Sequence, residues 1–322
     1  MQFEAVVTGL NLPNSVMVKD NQILIAEGGG DCIRVFSVDD CRLQMVLGSF
    51  GKSEYQFREP VNAIFTDEKS VCVCDWHNHR IIFYNNYFKY TGEVGHFADE
   101  KVNSFLNFLR RLRYSHLSLG TYLNDEGIVT RTRGSFFNVL YTRLFWCIKS
   151  LLYDLSKTSA LNKKNVVLSL NKPNGLCSIS NKLVVTVKNS KKIVVLCPTE
   201  QSVFKEIKSD EFGRLGQCCE FSENSVLVCD ETNKCLWQIA LNSEEIFKVP
   251  LAMDRPFSVT CGNGKIYIAG GSELLVCDYN FLQLSKRSIA SECHGLYYYE
   301  DFLYMVDRGS GILFRVGLRD EI

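Results

Sequence analysis

A five-residue apolar stretch recurs six times along the 322-residue chain, and four of the six copies end in an acidic residue. The copies are ILIAE (23–27), VCVCD (71–75), LVVTV (183–187), VLVCD (226–230), IYIAG (266–270) and LYMVD (303–307). Their last residues are separated by 48, 112, 43, 40 and 37 positions. Four spacings near 40 define a period, and the interval of 112 equals one period plus an insertion of about 70 residues.

Each copy carries the same flanking signals. A Pro- or Gly-containing element such as LPNSVMV (12–18) or KPNGLCS (172–178) lies shortly before it, and a polar turn and another apolar stretch follow. This alternation of apolar residues and turns indicates antiparallel strands with short connections. A repeat of this length built from such strands is typical of a propeller blade. The six copies therefore predict an all-β fold, a six-bladed β-propeller.

The second repeat, EPVNAIFTDEKSVCVCDWHNHRIIFYN, resembles an NHL repeat. Pro60, Asp75, the turn at 78–80 and the strand around Ile81 and Phe83 carry the resemblance. The other repeats match in spacing and patterning, so that the likeness covers about 250 of the 322 residues. It implies four-stranded blades arranged around a central channel.

The resemblance also implies how the ring closes, because NHL propellers mix strands from both termini in one blade. FEAVVTGL (3–10) would add a strand to the blade that contains ILFRVGL (312–318). The predicted organisation is one propeller with an insertion. Residues 1–95 hold the first two repeats, 96–165 form the insertion, and 166–322 hold the other four.

The insertion between the second and third repeats has a helical pattern and a basic charge. Val102, Phe105, Leu106 and Leu109 follow helical spacing, and the run 135–156 repeats the pattern, which predicts two amphipathic helices. Eleven Lys or Arg against five Asp or Glu give 96–165 a net charge of +6. The helices would pack on the propeller, bind a partner, or contact a membrane peripherally. The predicted partner-binding residues here are Arg110, Arg111, Arg143, Trp146 and Lys149.

The stretch VCVCDWHNHRIIFY (71–84) resembles a metal site at first sight, with two cysteines and two histidines. Cys72 and Cys74, however, occupy packing columns of the repeat and share one face of a strand, whereas the histidines lie in the following turn. We therefore interpret the stretch as a strand, a turn and a strand. Its turn is predicted to be exposed on a propeller face, where Trp76, His77 and His79 would contact a partner.

Composition favours a reduced, cytoplasmic protein. The 36 Lys and Arg balance the 36 Asp and Glu, so the net charge calls for no nucleic-acid partner. Fourteen cysteines occur without paired CxxC motifs, and MQFEAVVTGL lacks the features of a signal peptide, so cysteines are predicted to be buried thiols and not disulfides.

An enzymatic reading is the main alternative, because six-bladed relatives of the NHL type include metal-dependent lyases and lactonases. In the lactonase-like propellers, Glu, Asn and Asp side chains at the inner strand ends hold calcium. The candidates here for a divalent cation in the central channel are Asn14, Asn62, Asn174 and His294. Turn formation next to proline explains the asparagines as well and is favoured. No catalytic residue is predicted, because no Ser-His-Asp pattern, phosphate loop or HExxH motif is present.

The acidic column at the strand ends, Glu27, Asp75, Asp230 and Asp307, is predicted to bond its own turns. The sequence thus favours a non-enzymatic scaffold that binds a protein partner through a propeller face or through the inserted helices. The alternatives are a metal-dependent hydrolase or lyase with a cation in the channel, and an RNA-binding NHL module.

Overall fold

The computed structural model describes residues 3–95, 170–188 and 190–318. The chain divides into two compact units, and the described residues belong to the unit formed by Met1–His96 and Leu170–Ile322. This unit is all-β, and the only helical turn among its described residues is the short 3-10 turn Trp76–Asn78.

Four sheets are four-stranded antiparallel meanders in which the strand order follows the chain. Sheet one holds β2 (Pro13–Lys19), β3 (Gln22–Glu27), β4 (Cys32–Ser37) and β5 (Leu43–Leu47). Sheet two holds β6 (Pro60–Phe65), β7 (Val71–Asp75), β8 (Arg80–Tyr84) and β9 (Tyr90–Val94). Sheet three holds β10 (Pro173–Ile179), β11 (Lys182–Val187), β12 (Lys192–Cys197) and β13 (Ser202–Lys208). Sheet four holds β14 (Leu215–Ser222), β15 (Ser225–Asp230), β16 (Cys235–Ala240) and β17 (Ile246–Pro250).

Sheet five has six strands and joins the two ends of the chain. Its order is β1-β22-β21-β20-β19-β18. Pairing of β1 with β22 is antiparallel, with Phe3 opposite Val316. The strands are β1 (Phe3–Val7), β18 (Ser258–Gly262), β19 (Lys265–Asp278), β20 (Gln283–Tyr299), β21 (Phe302–Asp307) and β22 (Ile312–Gly317).

This arrangement corrects the predicted number of blades. The repeat predicts six separate four-stranded blades, whereas the described residues form four such blades and one six-stranded sheet. The difference arises because β19 and β20 continue for 14 and 17 residues. The polar segment 271–273, which signals a turn, lies inside β19 and produces only a register shift there. The six-bladed prediction is therefore wrong.

The predicted helical insertion at 96–165 falls outside the described residues. Within them the 3-10 turn at Trp76–Asn78 is the only helical element, so nothing in the described chain supports inserted helices, and we do not retain that prediction. No helix in the described ranges is long and apolar enough to cross a bilayer.

Two-residue loops explain why consecutive strands pair as hairpins. Asp20 and Asn21 connect β2 to β3 and both have positive φ, at 47° and 63°. This is the type I′ geometry, whose twist matches that of the paired strands. The same geometry recurs at the start of three further repeats, in the loops 180–181, 263–264 and 300–301.

The core lies between the sheets. Leu24 and Ala26 of β3 pack with Val73 of β7 and Tyr84 of β8 in one such layer. Because each second strand is covered on both faces, all five residues of β7 are buried, and Cys72 and Cys74 are fully enclosed. Burial raises the pKa of both thiols, so they are packing residues, as the repeat columns indicate.

The inner strands are the first strand of each repeat: β2, β6, β10, β14, β18 and the second half of β20. Each contacts the next, and β20 contacts β2, which closes the ring. Polar groups on the free edges of these strands bond side chains of the preceding inner strand. The amide N–H of Ala63 donates to Ser15 Oγ at 3.3 Å, and the N–H of Leu296 donates to Ser258 Oγ at 3.0 Å.

Candidate functional site: a charged ring at one end of the inner strands

Ionisable side chains gather at the end of the unit where the inner strands begin. Strand pairing brings this end together with the end of each second strand, as in the pairs Pro60 with Asp75 and Leu215 with Asp230. Ten ionisable residues near these positions make up what we call the charged ring. Its members are Glu59, His77, Lys172, Lys188, Arg214, Glu231, Arg255, Glu292, His294 and Arg308.

One side of the ring is organised by Arg308. Its guanidinium donates to Asn14 Oδ1 at 2.7 Å and to Glu59 Oε1 at 3.2 Å. The second carboxylate oxygen of Glu59 lies 3.0 Å from Nε2 of His77. Although burial opposes it, the hydrogen bond from His77 and the charge of Arg308 hold the pKa of Glu59 below its ordinary value. This carboxylate is therefore ionised and already paired.

On another side of the ring, three cations surround Glu231. The Nε of Arg214 lies 3.6 Å from Glu231 Oε2, and Lys188 and Arg255 also act on this carboxylate. Burial nevertheless raises the pKa of Glu231, because loss of solvent outweighs the three positive charges. Among the described residues, this side of the ring therefore holds three cations and one carboxylate.

His294 lies between these two groups. Its ring is 4.7 Å from that of Phe257, and Nε2 lies 3.5 Å from Glu292. Burial, reinforced by the positive charge of Arg308, lowers the pKa of His294 to about 4. The imidazole is therefore neutral at pH 7, and its buried Nδ1 has no hydrogen-bond partner among the described residues.

Two lysines of the ring stand over an aromatic side chain. The Nζ atoms of Lys172 and Lys188 lie 4.3 Å and 5.2 Å from the centroid of the Trp76 ring. Such cation–π contacts hold ammonium groups in place. Trp76 itself is only 5% exposed, so it supports the lysines from below and presents little surface of its own.

The three predicted partner-binding residues of sheet two therefore have different surroundings. His77 belongs to the charged ring, whereas Trp76 lies under the lysines. His79 has left-handed backbone, with φ 59°, and its Nδ1 accepts the N–H of Lys172 at 3.1 Å. The other predicted contact residues, Arg110, Arg111, Arg143, Trp146 and Lys149, lie outside the described residues.

Two of the three asparagine candidates for a cation site donate hydrogen bonds to backbone carbonyls of the next sheet. Asn14 Nδ2 donates to the carbonyl of Pro60 at 3.0 Å, and Asn174 Nδ2 donates to that of Leu215 at 2.8 Å. Asn62 is also buried, at 5% exposure. His294 stands apart in the charged ring. Among the described residues no three His, Cys, Asp or Glu side chains are grouped to hold a metal ion.

A glutamine crosses the space that the inner strands surround. Gln217 of β14 donates through Nε2 to the backbone carbonyl of Asn14 on β2, at 3.1 Å. Its Oε1 accepts the hydroxyl of Ser258 at 2.8 Å. Three sheets are thus joined by one side chain at their inner strands.

The carboxylates of the acidic column accept hydrogen bonds from nearby backbone and side chains. Asp230 accepts the backbone N–H groups of Thr232 and Asn233 at 3.1 Å and 3.0 Å, and the indole N–H of Trp237 at 2.8 Å. Asp75 is bound by Arg80 Nε at 2.9 Å. These buried carboxylates organise turns, and each also accepts a backbone N–H beside the charged ring, from Arg58 to Asp75 and from Gly213 to Asp230.

Only two members of the charged ring, His77 and His294, were predicted from the sequence. A usable signal was present. Glu59, Lys172 and Arg214 directly precede β6, β10 and β14, Glu292 precedes the second half of β20, and Arg255 lies three residues before β18.

Comparisons with known proteins bear on the fold. No protein-family model matches the sequence, and no curated protein sequence does. Among solved structures, virginiamycin B lyase from Staphylococcus aureus is 11% identical, with a TM-score of 0.58 over 98% of this chain and 97% of that one. A protein described as a gluconolactonase is 10% identical, with a TM-score of 0.63 over 99% and 92%. The RRP9 WD40 repeats are 8% identical, with a TM-score of 0.60 over 98% and 97%.

At these identities the likeness concerns the fold alone, and it is to β-propellers. The NHL resemblance is supported at this coarser level and not at the level of the NHL repeat itself. The matched proteins include two described as enzymes and one described by its WD40 repeats, so the fold does not choose between catalysis and binding.

Proposed function

We propose that this protein is a non-enzymatic binding propeller that docks an acidic segment of a protein partner on the charged ring. The observation that carries the proposal is the balance of charge there. Among the described residues of the ring, five cations stand with three carboxylates, a net charge of +2 without the two histidines. This positive charge would attract a ligand that carries carboxylates.

The environment of the cations strengthens the attraction. Arg308 and Arg214 have side-chain exposures of 26% and 31%, and Lys172 and Lys188 are half-buried, whereas Arg255 is exposed. Charges that are partly withdrawn from water interact more strongly with an incoming ion than fully solvated ones. The contacts of the two lysines with Trp76 already restrict their side chains, so binding would cost less conformational entropy.

An acidic protein segment fits this surface better than RNA. The three carboxylates of the ring lie among the cations, and a continuous phosphate backbone would be repelled by them. A peptide can instead place its carboxylates next to Lys188 and Arg255 and its neutral residues next to Glu59 and Glu292. We therefore favour a protein partner over the RNA-binding alternative.

The hydrolase or lyase alternative has less support. The amide groups of Asn14 and Asn174 are engaged with neighbouring backbone, and Gln217 spans the inner strands. A cation would bind side-chain oxygens, and Oδ1 of Asn14 already accepts from Arg308 while Oε1 of Gln217 accepts from Ser258. Metal analysis of the purified protein provides the check, since one tightly bound calcium or zinc ion per chain would contradict the scaffold proposal.

Selection from a library of displayed random peptides tests the proposal directly. The immobilised wild-type chain should enrich acidic peptides, which bind with micromolar affinity and lose at least about tenfold in affinity in Lys188→Glu/Arg255→Glu. The matched control is Lys208→Glu/Lys248→Glu, which makes the same charge change at exposed positions on outer strands.

The control should bind the selected peptides as the wild type does. Peptides without acidic enrichment, or equal loss of binding in both double variants, would show that the charged ring is not the docking site. Far-ultraviolet circular dichroism of each variant establishes that the fold is retained.

A further inference from the structure

Two cysteine thiols meet at the opposite end of the inner strands, between sheets four and five. The Sγ atoms of Cys219 on β14 and Cys261 on β18 lie 3.6 Å apart. Both residues are half-buried. Theirs is the one thiol–thiol hydrogen bond in the described part of the chain, which has thirteen free cysteines.

The repeat explains why these two positions touch. The corresponding residues of sheets one and two are Met17 and Phe65, where the N–H of Phe65 lies 3.0 Å from Met17 Sδ. Within sheet five they are Thr260 and Tyr298, where the N–H of Tyr298 donates to Thr260 Oγ1 at 3.1 Å. Neighbouring inner strands thus bring this pair of positions into contact wherever they occur, and at the β14–β18 junction both are thiols.

The surroundings leave the pair accessible from one side. Phe221 stacks on Phe281 with ring centroids 5.6 Å apart and touches Tyr279 at 5.2 Å, beside the two thiols. Tyr279 is 42% exposed, so this aromatic cover reaches the surface. The fully buried cysteines, such as Cys72 and Cys74, have no comparable route for a reagent.

We propose that Cys219 and Cys261 are a peroxide-sensitive pair that forms a disulfide linking sheet four to sheet five. The distance between the sulfur atoms must shorten from 3.6 Å to about 2 Å, which rotation of the two side chains and a small approach of the strands can supply. The site takes a small hydroperoxide as its oxidant and is a modification site, independent of the charged ring.

The reaction balances in two steps. One thiol of the pair gives up its proton and attacks one peroxide oxygen; the O–O bond breaks, the sulfur is oxidised to a sulfenic acid, and the departing hydroxide takes up the proton and leaves as water. The other thiol then attacks that sulfur, losing its proton, and the S–OH bond breaks with release of a second water. Two thiols and one hydrogen peroxide give one disulfide and two waters.

Peptide mapping of the oxidised full-length chain tests the proposal. Native protein treated with dilute hydrogen peroxide, blocked with an alkylating agent and digested without reductant should yield the Cys219 and Cys261 peptides linked to each other. Dithiothreitol should separate them. The midpoint of thermal unfolding should rise by several degrees on oxidation and return on reduction, because the link constrains the unfolded chain.

Cys219→Ser and Cys261→Ser should each abolish the linked peptides and the rise in midpoint. Cys197→Ser, which removes another half-buried thiol, is the matched control and should leave both unchanged. Recovery of Cys219 and Cys261 as unlinked sulfinic acids, or as links to other cysteines, would overturn the proposal. The wild-type map decides the question even where a variant folds poorly.

Discussion

His294 shows how the surroundings of one side chain set its protonation state. The ring packs on Phe257, and burial together with Arg308 and Lys188 opposes protonation, while Glu292 favours it. When a buried imidazole stays neutral in the folded protein, the unfolded chain binds protons at that residue more readily than the folded protein does. The residue therefore couples the stability of the unit to pH.

The sign of this coupling gives a prediction. The unfolded chain takes up a proton at this residue near pH 6.5, whereas the folded one does so only near pH 4. Acid between these values favours unfolding, so stability is lost as pH falls from 6.5 to 4. Relative to His294→Gln, the wild type should lose up to about 3 kcal/mol across this window.

Urea unfolding of both proteins at several pH values measures the difference directly. The pH dependence of the variant's unfolding free energy should retain the contribution of the carboxylates and lack that of the imidazole. Parallel pH profiles for the two proteins would contradict the assigned environment of His294.

Arg80 illustrates the opposite case, a charge used entirely for structure. It bonds the carboxylates of Asp75 and Glu93 and the carbonyls of Ser53 and Gln56, with 5% of its side chain exposed. It thereby fastens the long loop before β6 to sheet two. Four acceptors around one buried guanidinium commit this cation to holding the loop in place.

At the scale of elements, the close approach of two inner strands limits the size of the side chain that a position between them can hold. A Cβ added at Gly295 on β20 would lie 2.7 Å from the Cα of Ser15 and 2.9 Å from the N of Val16, both on β2. Backbone atoms cannot yield as a flexible side chain can. The contact of β20 with β2 that completes the ring of inner strands thus depends on a missing side chain.

Two glycine substitutions distinguish packing from backbone strain. Gly295→Ala should lower the free energy of unfolding by about 3 kcal/mol, because the methyl group forces two strands apart. Gly264→Ala should cost only about 1 kcal/mol, since this hairpin residue has φ 68° but open space around it. Urea unfolding of both variants gives the comparison, and equal losses would contradict the close approach of β20 to β2.

Several elements could be predicted from the sequence for a clear physical reason. Second strands such as β3 and β7 are covered on both faces, so they appear as short continuous apolar runs, and the loop Asp20-Asn21 favours positive φ. The continuous course of β19 could not be predicted, because Ser272 and Glu273 are turn-forming by type and pair with β20 through tertiary context. Likewise Glu59 and Arg308 meet across 249 positions of sequence, a distance that no local pattern spans.

At the scale of the whole molecule, β1 is the strand by which the N-terminal segment holds the C-terminal one. It pairs with β22, Phe3 packs edge-on against Phe314 at 6.3 Å, and Arg315 bonds Glu4 at 3.0 Å. Without β1, strand β22 would become an open edge with unpaired N–H and C=O groups.

Deletion of residues 2–8 should therefore lower the thermal midpoint markedly and promote aggregation. Glu4→Ala, which removes only a half-exposed ion pair of the same strand, should cost less than about 1 kcal/mol. Differential scanning calorimetry and light scattering follow the two effects. A deletion variant as stable as the wild type would show that β1 contributes nothing to closure.

At several junctions of the ring, side chains of one inner strand bond the backbone of the next inner strand along the chain. Asn14 and Ser15 of β2 reach Pro60 and Ala63 of β6, and Ser258 of β18 reaches Leu296 of β20. Linear repeat arrays can fray from their ends, but a closed ring of such dependencies has no end from which to begin. Loss of one of these strands would leave polar backbone groups of the next without hydrogen-bond partners. The unit should therefore melt as a single cooperative body, with its slowest-exchanging amides distributed over all the inner strands.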